Sequence, residues 1–319
     1  MKKSLALLLA LSFGATSALA QSYPAKQIKF VVGFPAGSSI DVVSRIVLDD
    51  IRERTGATIV IDNKAGALGA IGLGELVKAD ADGYTLMPSS SATHSSGPYL
   101  SKALQKLDPQ NSTAHVARLV QFNVAVVTHT AGRHKNAQSL IAAGKAKPDS
   151  LVYGYGSGTG QVGAAAFGKA TGIQARPIPY KGQPPALTDL IGGQIDFVAA
   201  DVGVLLPFLK AGTLTAITVL SDKRSTLLPE VPTAAELGYP GAVLVGWIGI
   251  DGPAKLPAEV THWWSEQIKL TLATPKVQEK LSTIGMEPAP LAGDAFVKFV
   301  ETQNGVWGKH VRAAGIQAE

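Results

Sequence analysis

The stretch Ile28-Lys29-Phe30-Val31-Val32-Gly33-Phe34-Pro35-Ala36-Gly37-Ser38-Ser39-Ile40-Asp41-Val42-Val43 decides the fold class. Ile28 to Phe34 reads as a buried β-strand, because apolar side chains, many of them β-branched or aromatic, run with almost no polar break. Pro35-Ala36-Gly37 then turns the chain. Ser38 and Asp41 have the spacing of a capping box, with Asp replacing the usual Glu or Gln. Val43, Val47 and Ile51 recur at i, i+4 and i+8, a helical stripe that stops near Gly56. Strand, glycine turn and helix in this order form the repeating unit of a parallel α/β sheet.

The same unit recurs outward from it. Thr58 to Ile61 is a second strand, and the turn Gly66-Ala67-Leu68-Gly69 opens a helix through Leu73, Leu76 and Val77. Asp82-Gly83 turns into a third strand, Tyr84 to Met87. A second series begins with the strand Asn123 to Val127 and a helix around Ser139 to Ala146. It continues as the strand Leu151 to Tyr153, a Gly-rich loop, and the helix Val162 to Ala170. The strands Arg176 to Tyr180, Gln194 to Ala199 and Leu214 to Leu220 follow, separated by helices from Pro184-Pro185 and near Leu205 to Lys210.

Beyond Trp247 the pattern is mostly helical, with helices expected over Ala258–Ala273, Lys276–Ile284 and Ala292–Ala313. This tail holds too few strands for a third sheet, so it is expected to pack back on the first lobe. The chain then crosses between lobes twice, near Val120–Asn123 and near Val243–Trp247. Lobe 1 is thus expected to comprise residues 21–122 and 245–319, and lobe 2 residues 123–244. Two crossing strands side by side can bend together without unfolding either lobe, as a hinged molecule requires.

Lys2 and Lys3, the apolar run Leu5 to Leu11 and the small residues of Ala18-Leu19-Ala20 have the pattern of a secretory signal peptide. Residues 1–20 are therefore expected to be removed after Ala20, with the mature protein in the periplasm. The apolar run is too short to span a hydrocarbon core of about 30 Å. Net charge falls from +5 to +3 without the two signal lysines, which makes no case for nucleic acid. The absence of cysteine suits an oxidising compartment and excludes thiolate metal or redox chemistry.

Two Gly-rich strand-to-helix turns stand out, one per lobe. The first runs from Phe34 through Ala36, Gly37, Ser38 and Ser39, and the second is Gly154-Tyr155-Gly156-Ser157-Gly158-Thr159-Gly160. Each places unpaired backbone N–H groups and the positive end of a helix dipole at the carboxyl end of a strand, where open α/β sheets bind ligands. Ser38, Ser39, Ser157 and Thr159 add hydroxyls, although capping alone also accounts for Ser38 and Thr159. Ser89-Ser90-Ser91-Ala92-Thr93-His94 follows the third strand, so Ser90 and His94 are further candidates. Tyr180 and Lys181 end a lobe-2 strand, Tyr180 as an apolar wall with a polar tip. Asp201 ends another, able to accept from a ligand amine or hydroxyl or to bond between lobes.

Gly158-Thr159-Gly160-Gln161-Val162-Gly163 fits a dinucleotide-binding spacing, but the next strand ends in Tyr180-Lys181 with no acid for a ribose hydroxyl. Nucleophile-elbow, zinc-protease and P-loop signatures are missing, and the histidines lack ligand spacing. No catalytic residue, metal or cofactor is expected.

The chain resembles the substrate-binding proteins of tripartite tricarboxylate transporters, the Bug receptors. Matching segments are Phe34-Pro35-Ala36-Gly37 with Asp41, Asn63 to Gly66, Ala81-Asp82-Gly83-Tyr84-Thr85-Leu86, Tyr180-Lys181-Gly182, and Gly192-Gly193-Gln194-Ile195-Asp196. Leu228-Pro229-Glu230-Val231-Pro232-Thr233 and the closing Trp307 with Ala314-Gly315-Ile316 complete the series. Ser38-Ser39 stands where the family usually continues in glycine, and Asn63-Lys64-Ala65-Gly66 replaces Asn-Arg-Pro-Gly. The resemblance implies a two-lobed periplasmic binding protein of Venus-flytrap type that captures a small organic acid without catalysis. It implies delivery to the membrane permease subunits of a tripartite transporter, and a monomer is expected. A ligand sensor serving a membrane kinase, or a periplasmic α/β enzyme, are the competing readings.

Overall fold

A computed structural model describes residues 23–180 and 182–318. The expected signal peptide and Lys181 lie outside the described residues. Among the described residues ten strands make the frame: β1 (Ile28–Val32), β2 (Ile59–Asn63), β3 (Thr85–Ser90), β4 (Thr113–His129), β5 (Leu151–Tyr155), β6 (Ala175–Pro179), β7 (Phe197–Asp201), β8 (Leu214–Val219), β9 (Val245–Pro253) and β10 (Glu287–Ala292).

β4 belongs to two sheets. Its first half, from Thr113 to Asn123, lies between β9 and β10, and β9 continues to β3, β1 and β2. Its second half, from Val124 to His129, lies between β8 and β7, and β7 continues to β5 and β6. In each sheet the βαβ strands run parallel (β2-β1-β3 and β7-β5-β6), and β4 and β9 supply the antiparallel pairs.

Burial follows the sequence pattern. β1 is buried along nearly its whole length and carries the helix Ser39–Thr55, which sets Val43, Val47, Leu48 and Ile51 into the first core with Phe30, Leu86 and Trp264. Gly56 ends that helix in the left-handed conformation, as a C-terminal cap requires. In the second sheet β4 alternates. Val124 and Val126 face one core with Phe167 and Phe197, whereas Ala125 and Val127 face another with Leu187, Leu190 and Leu205. That sheet is therefore covered on both faces, as parallel sheets demand.

The chain passes between halves within β4 and again just before β9. The two passages lie side by side: the Leu220 amide donates to the Val124 carbonyl at 2.8 Å, and the Leu244 amide to the Leu220 carbonyl at 2.8 Å. Beside them Phe122 lies across Gly246, where an added Cβ would meet the ring at 2.2 Å.

The three expected tail helices are present, as Ala258–Ala273, Pro275–Thr283 and Asp294–Ala313, and β9 and β10 add two strands that the sequence reading did not place. The last helix, Asp294–Ala313, does not rest on the first half alone. It starts there, with Phe296 and Val300 against Trp247, and ends with Trp307 and Val311 among Leu100, Val162 and Leu244. It therefore bridges both halves, because the apolar stripe that holds Phe296 and Val300 continues to Trp307 and Val311.

Candidate functional site

A cavity of about 300 Å³ opens between the halves. From the first half it is lined by Phe34, Ser38, Ser39 and Ile40 after β1, Leu68 after β2, and Ser90, Ser91, Ala92, Ser96 and Leu100 at and after the end of β3. From the second come Gly156, Ser157, Gly158 and Thr159 after β5, with Asp201 at the end of β7. Phe122 and Ile248 line it from the crossing strands.

On the first wall, Ser38 caps the helix Ser39–Thr55, accepting from the Asp41 amide at 3.3 Å. Asp41 is buried and holds the turn from behind. It accepts from the Gly37 amide at 2.8 Å, from Arg45 Nε and Nη2 at 2.9 Å each, and from Asn63 Nδ2 at 2.9 Å. Burial opposes its charge, but Arg45, Asn63 and the Gly37 amide outweigh that and hold the carboxyl at about 2. Asn63 also donates to the Phe34 carbonyl at 3.1 Å, tying the end of β2 to the turn after β1.

On the facing wall, Ser157 caps the helix Gly158–Thr171. Its hydroxyl accepts from the Gly160 amide at 3.1 Å and from Gln183 Nε2 at 3.0 Å, and lies 2.9 Å from Thr159 Oγ1. Thr159 donates to Asp201 Oδ1 at 2.9 Å, and Gln183 Nε2 donates to Asp201 Oδ2 at 2.8 Å. Burial pushes the Asp201 carboxyl upward, against the hydrogen bonds from Gln183 and Thr159. Gly156 lies against the backbone of Gly182, and a Cβ there would approach the Gly182 carbonyl to 1.9 Å.

The structure brings Phe34, Ser38, Ser39, Ser90, Ser157, Gly158, Thr159 and Asp201 to one cavity. Among the described residues Asp201 bonds only within the second half, to Thr159 and Gln183. Ala36 and Gly37 are exposed at the rim, and Gly160 is buried with its amide spent on the cap. Tyr180 lines an adjoining groove with Gly156 to Gly158 and donates to Asp189 at 2.7 Å.

His94 does not reach the cavity. It is fully buried, with Nδ1 2.8 Å from Thr93 Oγ1 and Nε2 3.0 Å from Asp251 Oδ2. His115 Nδ1 meets the same carboxylate oxygen at 2.6 Å. Burial alone would suppress the charge on His115, but Asp251 raises its pKa, and both histidines hold the Asp251 carboxyl well below the usual range. The ligand-type atoms of the three lie within 4.8 Å of one another. Their contacts of 2.6 and 3.0 Å are hydrogen bonds, tighter than the roughly 3.3 Å separating donors around tetrahedral zinc. His94 is therefore part of the core, drawn inward by an acid that the sequence separates from it by 157 positions.

Sequence reading missed Gln183, which orders the second wall, and the apolar residues Ile40, Leu68, Leu100, Phe122 and Ile248. Gln183 directly follows the Tyr180-Lys181-Gly182 turn, and a polar residue just after such a turn was the available signal.

The cavity has two opposed helix starts, six serine and threonine hydroxyls besides Ser91, and apolar surfaces from Phe34, Ile40, Leu68, Leu100, Phe122 and Ile248. Among the described residues its one ionisable lining residue is Asp201. Residues 43–316 match the family described as the tripartite tricarboxylate transporter family receptor. The chain belongs to that family. This receptor is 32% identical over 306 residues to the protein BugT of Bordetella pertussis, covering 93% of this chain and 91% of BugT. Among solved structures it is similar to an R. palustris protein determined with adipate (27% identity, TM-score 0.82, 93% of this chain and 100% of that one). The periplasmic binding protein BugD is similar as well (27% identity, TM-score 0.77, 93% and 100%). The receptor thus has the two-lobed fold of periplasmic binding proteins, and its cavity lies between the lobes.

Proposed function

We propose that this receptor captures a small carboxylate-bearing organic solute between its lobes in the periplasm and passes it, unaltered, to the permease subunits of a tripartite transporter. The observation that carries this reading is the pair of helix starts, capped by Ser38 and Ser157, that open on one cavity from opposite sides. Each offers amides and a positive dipole end to an anion. At about 300 Å³ the cavity is at the small end for organic ligands. Adipate in a 27% identical relative is in keeping with that size and charge.

Binding without turnover is in keeping with membership of a receptor family and with a lining that sets serine hydroxyls beside apolar groups. Export is supported by the Lys2-Lys3 start and Ala18-Leu19-Ala20, with cleavage after Ala20. Residues 21–122 with 245–319, and residues 123–244, form the two lobes in this reading. They turn about the paired passages at Val124, Leu220 and Leu244.

Gly158→Asp tests the site. An added Cβ there meets only Leu100 at 3.3 Å and Ser96 at 3.9 Å, across the cavity, and no backbone of its own lobe. The variant should fold, judged by circular dichroism, yet lose calorimetric binding of a panel comprising benzoate, hexanoate, malate and adipate, because a fixed charge faces the ligand's own. A folded variant that binds like wild type sinks the assignment.

A further inference from the structure

We propose that a carboxylate held against the Gly156–Thr159 wall is bound together with one proton, taken from solvent onto Asp201 and expressed to the ligand as a hydrogen bond from Thr159. This rests on the carboxylate reading of the cavity.

The argument is an inventory of protons. A serine hydroxyl has one proton and two acceptor positions. Both acceptor positions of Ser157 are filled, by the Gly160 amide at 3.1 Å and by Gln183 Nε2 at 3.0 Å. Its 2.9 Å contact with Thr159 Oγ1 therefore has Ser157 as donor. Thr159 spends its own proton on Asp201 Oδ1, and the second Gln183 N–H goes to Asp201 Oδ2. With Asp201 charged, every side-chain proton of Ser157, Thr159 and Gln183 is committed. The side chains of this wall then offer a ligand only lone pairs and a negative charge.

Protonation of Asp201 reverses one link. Asp201 then donates to Thr159 Oγ1, which now accepts from both Asp201 and Ser157. The Thr159 proton is freed and turns into the cavity that Thr159 lines. Ser157, Gln183 and the helix cap keep their bonds.

Among the described residues, no cationic side chain offsets two negative charges at this wall, which leaves only the partial charges of the helix starts. Among the described residues no ionisable group faces Asp201. The helix Gly158–Thr171 carries its one lysine, Lys169, near its far end, and the helix Val202–Lys210 carries Lys210 at its last position. On the helix Gln183–Ile191, Asp189 is engaged with the Tyr180 hydroxyl, and β4 presents Val124. Two carboxylates sharing such a site hold a proton between them. Burial already raises the Asp201 pKa before any ligand arrives.

The test is calorimetry with benzoate, hexanoate, malate and adipate from about pH 6.5 to about pH 8.5, where their carboxylates stay almost fully ionised. Each pH is run in two buffers of different ionisation enthalpy. Wild type should take up close to one proton per ligand at the alkaline end, and affinity should fall up to about tenfold per pH unit there. Asp201→Asn keeps the shape, with its amide donating permanently to Thr159. It should bind the same ligands independently of pH, as tightly as acidic wild type, with no proton uptake. Wild-type binding that is flat with pH and takes up no proton overturns this inference and leaves the carboxylate reading standing. Binding that strengthens with rising pH also overturns it, and points to a ligand donor facing a charged Asp201. Failure of the whole panel with both proteins at every pH overturns the carboxylate reading, and this inference with it.

Discussion

A buried carboxylate is costly unless its lone pairs are filled, and Asp41 fills them with the Gly37 amide, the Arg45 fork and Asn63. Asp41→Asn discards the charge from these bonds and should cost about 1.5–3 kcal/mol in urea denaturation at neutral pH. The carboxyl titrates at about 2 in the folded chain, below its ordinary 3.8. Its contribution is therefore present above 3.8 and lost as pH falls through 2, so the variant and wild type should converge in acid. Curves that stay parallel down to about pH 2 would contradict this. Half of this arrangement is legible in the sequence. Ser38 and Asp41 announce a helix start by their spacing, whereas Asn63 arrives from the end of a neighbouring strand, which no local pattern encodes. His94 illustrates the same limit from the other side. A histidine after a serine run at a strand end reads as a cleft residue until Asp251, on β9, turns it inward.

At the level of elements, the strand–turn–helix units read out almost directly, because apolar runs, glycine turns and helical stripes are local signals. β9 did not. Gly246, Gly249 and Gly252 lower its strand propensity, yet Gly246 is needed beneath the Phe122 ring and Gly249 beneath Phe296. The cavity walls were legible for the same local reason: a turn between strand and helix carries its own glycines and hydroxyls. Gly156 makes the second turn possible by its approach to Gly182. Gly156→Ala should force these backbones apart, costing about 1–3 kcal/mol of stability and displacing Ser157 from its cap. The accompanying loss of affinity for whichever panel acid binds wild type should exceed the loss in Ser157→Ala, which keeps the backbone in place. Equal affinities for Gly156→Ala and wild type would show that the turn tolerates displacement.

Across the whole molecule, the apolar stripe of the last helix is visible in the sequence, but its reach over both lobes is not. Spacing tells which face is buried and says nothing about what it is buried against. Trp307, fully buried among Leu100, Val162 and Leu244, joins the lobes there. Trp307→Ala should cost about 3–5 kcal/mol, read from urea midpoints, because it leaves a cavity at a junction that two rigid bodies cannot both collapse into. A loss below about 1 kcal/mol would mean that the helix end is only lightly docked. The shared strand β4 also sets an order of assembly. The sheet of β4 to β8 uses a continuous run of chain, from Val124 to Val219, and can form as soon as that run is free. The other sheet leaves β4 from Thr113 to Asn123 without neighbours until β9 and β10 arrive, more than a hundred residues later in the chain. A nascent chain therefore carries an unfinished first lobe until nearly its last residues are made. The second lobe can therefore fold early on its own run of chain, whereas completion of the first lobe waits for β9, β10 and the final helix that spans both.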